Sequence, residues 1–236
     1  AWADCTTTQG TGMTTSSFTT VATTMAMNGY QYRCIIGNAQ YASAATSNAA
    51  TLTVKRLEIT PTVSMAGYTY GGTKSEPSVE GNTGNGTVTY YYNTTNSNSG
   101  GTLWSTVSSS TSLNAGKYYM YAVIGATTNY NGATTATKAF TIAKANGYVN
   151  LSATTETAQY GTANKTFTVT SHHGGTLSVS QTTATGATTS ISGTTVTIAS
   201  LGTLAAGTKV IVRVTSAATT NYNEAYKDYT LTIVAA

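Results

Sequence analysis

Few residues in this chain have the chemistry to act on a substrate: His172 and His173, seven carboxylates, and the thiols of Cys5 and Cys34. The histidines are adjacent in SHHGG. Neighbouring side chains of a strand point to opposite faces and Gly174–Gly175 reads as a turn, so the pair is expected at a strand end. A metal site would need two or more further ligands brought in by folding. Without a plausible base, the abundant serines are not evidence for a nucleophile. Glu76 and Glu80 can approach one another in SEPSVEG, but Pro77 and Gly81 mark a loop, and spacing alone does not supply the defined separation of a glycosidase pair. EF-hand, phosphate-loop and dinucleotide signatures are absent despite 23 glycines. The expectation is a protein that is not an enzyme, with no cofactor and no metal.

Tyrosine is the remaining chemical resource, with 17 Tyr against 3 Phe. YYY at 90–92 and YYMY at 118–121 place rings on both faces of their strands. One face fills a core. The other offers a platform for stacking on sugars or for contact with another protein, with Tyr91 and Tyr118 as candidate ligand contacts. The competing reading is Tyr as a strand former whose hydroxyl reaches water.

The elements that position these residues are strands. Only 8% of the 236 residues are charged, against about 25% in an ordinary soluble domain. Thr, Ser, Asn and Gly fill the polar positions, a composition that favours extended backbone and turns. Period-two alternation groups Val88 with Tyr90 and Tyr92, Phe167 with Val169, Val196 with Ile198, Val210 with Val212 and Val214, and Tyr229 with Leu231 and Ile233. No window carries a convincing helical period. The net charge of +4 comes from scattered residues, with no basic stripe for nucleic acid. No apolar run approaches the roughly 18 residues of a membrane span.

One phrase is written twice. TTNYN occupies 127–131 and again 219–223, preceded by LNAGKYYMYAVI and LAAGTKVIVRVT and followed by AFTIAK and TLTIVA. Leu113 matches Leu204, Gly116 matches Gly207 and Phe140 matches Leu231 at an offset of 91, while TTNYN is offset by 92. A period of that size suits a seven-stranded sandwich of roughly 100 residues. Lying between two regular strands, TTNYN is expected to be a corner whose Asn and Thr make turn hydrogen bonds while the Tyr ring packs over the sandwich end. A ligand loop is the other reading. VKRLEITP and AKANG separate three pieces, 1–56, 57–144 and 145–236, and such short linkers imply an elongated rod.

In the first piece, YQYRC followed by SNAATLTV places Tyr30, Tyr32, Cys34 and Ile36 on one face of a strand. A Tyr two residues before a Cys resembles the tyrosine corner of the F strand in immunoglobulin-like domains. The run looks like the last two strands of a bacterial immunoglobulin-like domain. The later pieces, with AGKYYMYAV, TTNYNGA and FTI, resemble the tandem bacterial immunoglobulin-like repeats of secreted and surface-attached proteins. The resemblance implies two complete sandwiches preceded by a partial one, a cell-surface or extracellular setting, and spacer, adhesive or accessory roles without catalytic residues. Asn-x-Ser/Thr sequences beginning at Asn85, Asn93, Asn150 and Asn164 fit secretion, although a Thr-rich chain generates them by chance.

The first piece has too few strands before Gly29 for a whole sandwich, and about 56 residues would form a marginal core alone. Two readings stand. Either a strand from another copy or a preceding segment completes it by β-strand addition, or the sequence begins partway through a longer polypeptide. The expected partners are therefore other copies or neighbouring domains, with glycans as the alternative. Cys5 and Cys34 are an even pair that suits a disulfide outside the cytosol, closing a loop worth roughly 3–4 kcal/mol by chain entropy; Cys5 does not lie where the usual partner strand would.

Overall fold

The computed structural model describes residues 2–38, 41–108, 112–183 and 185–236. The chain is all-β among these residues, with single 3-10 turns at Met25–Met27 and Trp104–Thr106. Among the described residues, no helix is long and apolar enough to cross a membrane.

The first piece contributes three separate strand pairs: β1 (Gly10–Thr11) with β2 (Thr19–Thr20), β3 (Gln31–Tyr32) with β6 (Ala50–Thr51), and β4 (Ile35–Asn38) with β5 (Tyr41–Thr46). Within 2–37 and 44–56, Gly10 alone is buried, and Trp2, Met13, Val21, Tyr30, Ile35 and Ile36 are exposed. Phe18 meets Tyr32 at 5.4 Å between ring centroids, and the Arg33 guanidinium lies 4.2 Å from the Trp2 ring. These contacts link separate strand pairs and their flanking residues without enclosing a core among the described residues, as expected for a fragment with so little apolar surface to bury.

The last piece is a complete sandwich. Its strands are β15 (Val149–Leu151), β16 (Thr155–Gln159), β17 (Lys165–His172), β18 (Leu177–Gln181), β19 (Thr188–Ser192), β20 (Thr195–Ala199), β21 (Lys209–Ser216) and β22 (Ala225–Val234). One sheet runs β15-β17-β20-β19 and the other β16-β22-β21-β18, with β16 parallel to β22 and the remaining pairs antiparallel. Lettered from A to G, with β16 continuing the first strand, these are the A-B-E-D and C-F-G sheets that define the immunoglobulin sandwich. The alternation read from sequence fills the space between the sheets: Val196, Ile198, Val210, Val212, Val214, Leu231 and Ile233 are essentially inaccessible, each gaining about 1.5–3 kcal/mol from burial. Phe167 and Tyr229 stack at 3.9 Å in the same core.

The middle piece departs from the expected complete sandwich. Strands β7 (Thr62–Ser64) and β9 (Ser78–Glu80) form one two-stranded sheet. The other sheet runs β11 (Thr102–Leu103), β10 (Val88–Asn93), β12 (Gly116–Ile124), β14 (Lys138–Ala143), β8 (Tyr68–Thr69), with β13 (Ala133–Thr134) also on β12. In the same lettering this is A-B facing C′-C-F-G with the continued first strand, and among the described residues no D or E strand joins A-B. The physical reason lies in 94–115, where Ser, Asn and Gly leave no alternating apolar run for a strand to bury. Trp104, 3% exposed on its 3-10 turn, and Val107 cover the core instead. The Trp104 indole N–H donates to Glu76 Oε2 at 3.0 Å, Lys74 Nζ pairs with Glu76 Oε1 at 3.0 Å, and the same ammonium lies 4.8 Å from the Trp104 ring. Partial desolvation pushes the Glu76 carboxyl up, but the hydrogen bonds from Lys74 and Trp104 outweigh it and hold the group below its ordinary value.

Candidate functional site

The two TTNYN segments leave the strands lettered F, β12 and β21, and lead into the G side, first the short β13 and then β14 in one repeat and β22 in the other; each closes on itself as a turn: Thr127 N–H donates to Tyr130 O at 3.0 Å, and Thr219 N–H to Tyr222 O at 3.0 Å. Each then grips the chain where it enters the same repeat. Leu57 N–H donates to Asn129 O at 2.8 Å and Asn131 N–H to Leu57 O at 2.9 Å; Ala145 N–H donates to Asn221 O at 2.8 Å and Asn223 N–H to Ala145 O at 2.9 Å. These pairs are one-residue parallel bridges, Leu57 with Tyr130 and Ala145 with Tyr222. A cation before each gripped residue adds a bond to the corner backbone: Arg56 Nε to Thr128 O at 3.3 Å, Lys144 Nζ to Thr219 O at 2.6 Å. The corner expected from sequence is therefore also a clamp on the linker, which it holds at Leu57 in VKRLEI and at Ala145 in AKANG.

The second corner reaches further, onto the preceding repeat. Asn221 Oδ1 accepts from Ala115 N–H at 2.8 Å, and Asn221 Nδ2 donates to Asn114 Oδ1 at 3.0 Å. Tyr222 meets Tyr70 edge-on at 5.7 Å and Tyr148 at 6.4 Å, and lies 5.5 Å from the His173 ring. Buried His173 holds this group from below: Tyr148 N–H donates to Nδ1 at 3.0 Å, leaving Nε2–H to donate to Ala217 O at 2.9 Å. A Cβ at Gly147 would lie 2.1 Å from Asn223 O and 2.8 Å from the His173 ring, so the close approach of the entering chain to its own corner requires glycine there. Tyr68, Tyr70, Lys74, Leu113 and Tyr222 line a groove beside it.

The other sequence-selected residues fall elsewhere. His172 ends β17, and Gly174 N–H donates to its Nδ1 at 3.2 Å. Both histidine rings come within hydrogen-bond reach of Ser216 Oγ, at 3.3 and 3.4 Å, because the turn at 174 releases the strict alternation expected of neighbours. Among the described residues no group of three or more His, Cys, Asp or Glu could hold a metal. Glu76 is committed to Lys74 and Trp104, while Glu80 ends β9.

Tyr118, a candidate ligand contact in the sequence, is buried against Phe140 at 5.7 Å and belongs to the core. Its hydroxyl donates to Asn114 O, four residues upstream, at 3.0 Å, and fully buried Met120 follows two residues later. That is the tyrosine corner, with Met in the usual Cys position. Tyr32, where sequence placed that corner, has a buried hydroxyl that finds no hydrogen-bond partner among the described residues. Tyr91 lies half-buried on the outer face, stacked at 5.3 Å on Tyr121, whose hydroxyl accepts from Gly101 N–H at 3.0 Å. Cys5 and Cys34 are exposed free thiols, so the expected bridge is not formed in this structure. Among the described residues the β1–β2 pair next to Cys5 forms no ladder with the strand pairs around Cys34; the Cys34 backbone is instead tied to Ser47, donating to its Oγ at 2.9 Å.

No protein-family model matches the chain, and no curated protein matches it. Solved structures with some similarity include titin domains Z1Z2 in complex with telethonin, at 13% identity over 77% of this chain and 93% of that one, TM-score 0.29. The N-terminal four immunoglobulin domains of Dscam1 align at 11% identity over 88% of this chain and 55% of that one, TM-score 0.30. Three N-terminal domains of the outer capsid protein Hoc of bacteriophage RB49 align at 11% identity over 93% and 82%, TM-score 0.25. The immunoglobulin-like architecture of this chain is read from its own strand order, complete in the last repeat and abbreviated in the one before it.

Proposed function

We propose that this chain is a non-catalytic structural segment of an extracellular or cell-surface protein, a stalk, adhesin segment or fibre unit, in which repeats 57–144 and 145–236 follow the partial 1–56 in a rod. The observation that carries this reading is the joint: Asn221 and Tyr222 bolt one repeat to the end of the other through side-chain, backbone and ring contacts. A linker of a few residues clamped at such a joint restricts bending and transmits force along the chain. The exposed Tyr30, Ile35 and Ile36 around the strand pairs of 1–56 support completion of that piece by β-strand addition from another copy, joining subunits head to tail.

Small-angle scattering and negative-stain imaging of the purified protein test both parts. A rod reading expects an extended particle whose maximum dimension is insensitive to salt, and Asn221→Ala should loosen it. Compact particles sink the rod; a strict monomer with a fully protected 1–56 sinks the head-to-tail version.

The tyrosine-lined groove at the joint favours a second reading, an accessory carbohydrate-binding module, since rings flanking a cleft stack on sugars. A glycan array distinguishes it: specific retention abolished by Tyr68→Ala or, on the outer face, by Tyr91→Ala would displace the scaffold reading.

A further inference from the structure

The joint has two sides, and the receiving side is built again at the far end of the last repeat. In the occupied joint, β8 runs parallel to β14, Tyr70 N–H donates to Ala143 O at 2.9 Å, and the chain turns through Gly71 at φ +73°. At the far end, β16 runs parallel to β22, Tyr160 N–H donates to Val234 O at 2.9 Å, and the chain turns through Gly161 at φ +87°. Tyr70–Gly71–Gly72 is thus matched by Tyr160–Gly161–Thr162. The second wall repeats as well: Leu113-Asn114-Ala115-Gly116, which receives Asn221, is matched by Leu204-Ala205-Ala206-Gly207.

Occupancy separates the two. Tyr70 is half-buried beneath Tyr222, whereas Tyr160 is 55% exposed. Ala115 N–H is taken by Asn221, whereas Ala206 is exposed and its N–H makes no hydrogen bond among the described residues. Resting on the scaffold reading above, we infer that Tyr160 and the 204–207 loop form a second socket, built to receive the Asn-Tyr corner of a further repeat of this type joined in line.

The chemistry of the socket selects that occupant over a separate copy. Ala205 stands where Asn114 stands, so the side-chain bond to Asn221 is lost and one backbone N–H and one ring edge remain. That is far less than free association of two proteins requires. A linker as short as the 144–148 segment of the occupied joint supplies an effective concentration on the order of millimolar and makes so small a contact sufficient. Val234-Ala235-Ala236 corresponds to Ala143-Lys144-Ala145 in register with the neighbouring parallel strand, which sets where such a repeat would begin.

The test extends the full chain by a second copy of residues 146–236 placed directly after Ala236. Amide exchange and NMR relaxation are then read at Ala115 and Ala206 in one sample. The expected result is Ala206 exchange slowed on the order of tenfold or more, with the added repeat tumbling together with its neighbour. Protection should vanish with Tyr160→Ser, or with Asn221→Ala in the added copy only, and survive Tyr160→Phe. Independent tumbling with Ala206 unchanged, or protection indifferent to these substitutions, overturns the socket. If Ala115 stays protected in that case, only this inference fails; if Ala115 also exchanges freely, the scaffold reading fails with it. Concentration-dependent protection of Ala206 in the unextended protein would assign the socket to a second copy and overturn the in-line occupant.

Discussion

Repeat 145–236 and repeat 57–144 share the C-F-G sheet with its parallel first-strand extension and the same end hardware, but differ in the opposite sheet and fill their cores with different material. The first of these packs Val, Ile and Leu between two four-stranded sheets. The second has one large sheet and a two-stranded one, and closes the gap with rings: Trp104 meets Phe140 at 5.7 Å and Tyr92 at 6.0 Å, both edge-on, and Tyr118 stacks on Phe140. Where strands are missing, a few wide side chains cover area that alternating aliphatics cover elsewhere. The corners and linkers are retained because they set how repeats join, whereas core volume can be supplied in several ways.

The largest expected effect tests the aromatic plug. Trp104→Ala should cost about 3–5 kcal/mol and, by calorimetry, lower the transition of 57–144 while leaving that of 145–236 in place. If both transitions move together, the repeats unfold as one unit and the contrast collapses. Leu231→Ala, in the aliphatic core, should cost about 2–5 kcal/mol and move the other transition, again read by calorimetry.

Two hydroxyls sharpen the contrast on a smaller scale. Tyr118→Phe removes the bond to Asn114 O and should cost about 0.5–1.5 kcal/mol in urea denaturation. Tyr229→Phe should cost less than that, because the buried Tyr229 hydroxyl meets only the Glu156 carboxylate and makes no hydrogen bond of good geometry among the described residues. Burial first, and then the nearby Glu156 carboxylate, push the Tyr229 phenol far up. Equal losses for the two substitutions would refute the distinction.

The smallest effect is on pH. Glu76, against Lys74 and Trp104, and Asp228, whose hydrogen bonds from Arg213 outweigh desolvation, both titrate below their ordinary values when folded. Their contribution is therefore complete above the ordinary carboxylate range and is lost as pH falls through the folded values. Both groups lie near the surface, so the loss should be modest and screened by salt. Glu76→Gln should flatten the acid limb for 57–144, and Asp228→Asn that for 145–236. A limb unchanged by its own substitution would remove that carboxyl from the account.

Strands, repeat and corner were legible because each leaves a local mark. Val210, Val212 and Val214 alternate in the chain and are all buried. TTNYN repeats because a corner must recur with its fold. Tyr118 was misread, since alternation says which residues share a face and not which face is covered. The clamp on Leu57 and Ala145 left no mark in the sequence beyond the cation that precedes each, because its bonds are made by backbone groups that every residue carries.

By itself, the sequence determined that this is an all-β chain with one unit written twice, because period-two patterning and turn residues act over a few positions. Tertiary structure decided that Trp104 replaces missing strands, that Tyr118 rather than Tyr32 makes the corner bond, and that Asn221 finds Ala115 across a joint. Those outcomes depend on which distant segments meet, and contact across a hundred residues is set by packing and not by neighbouring letters.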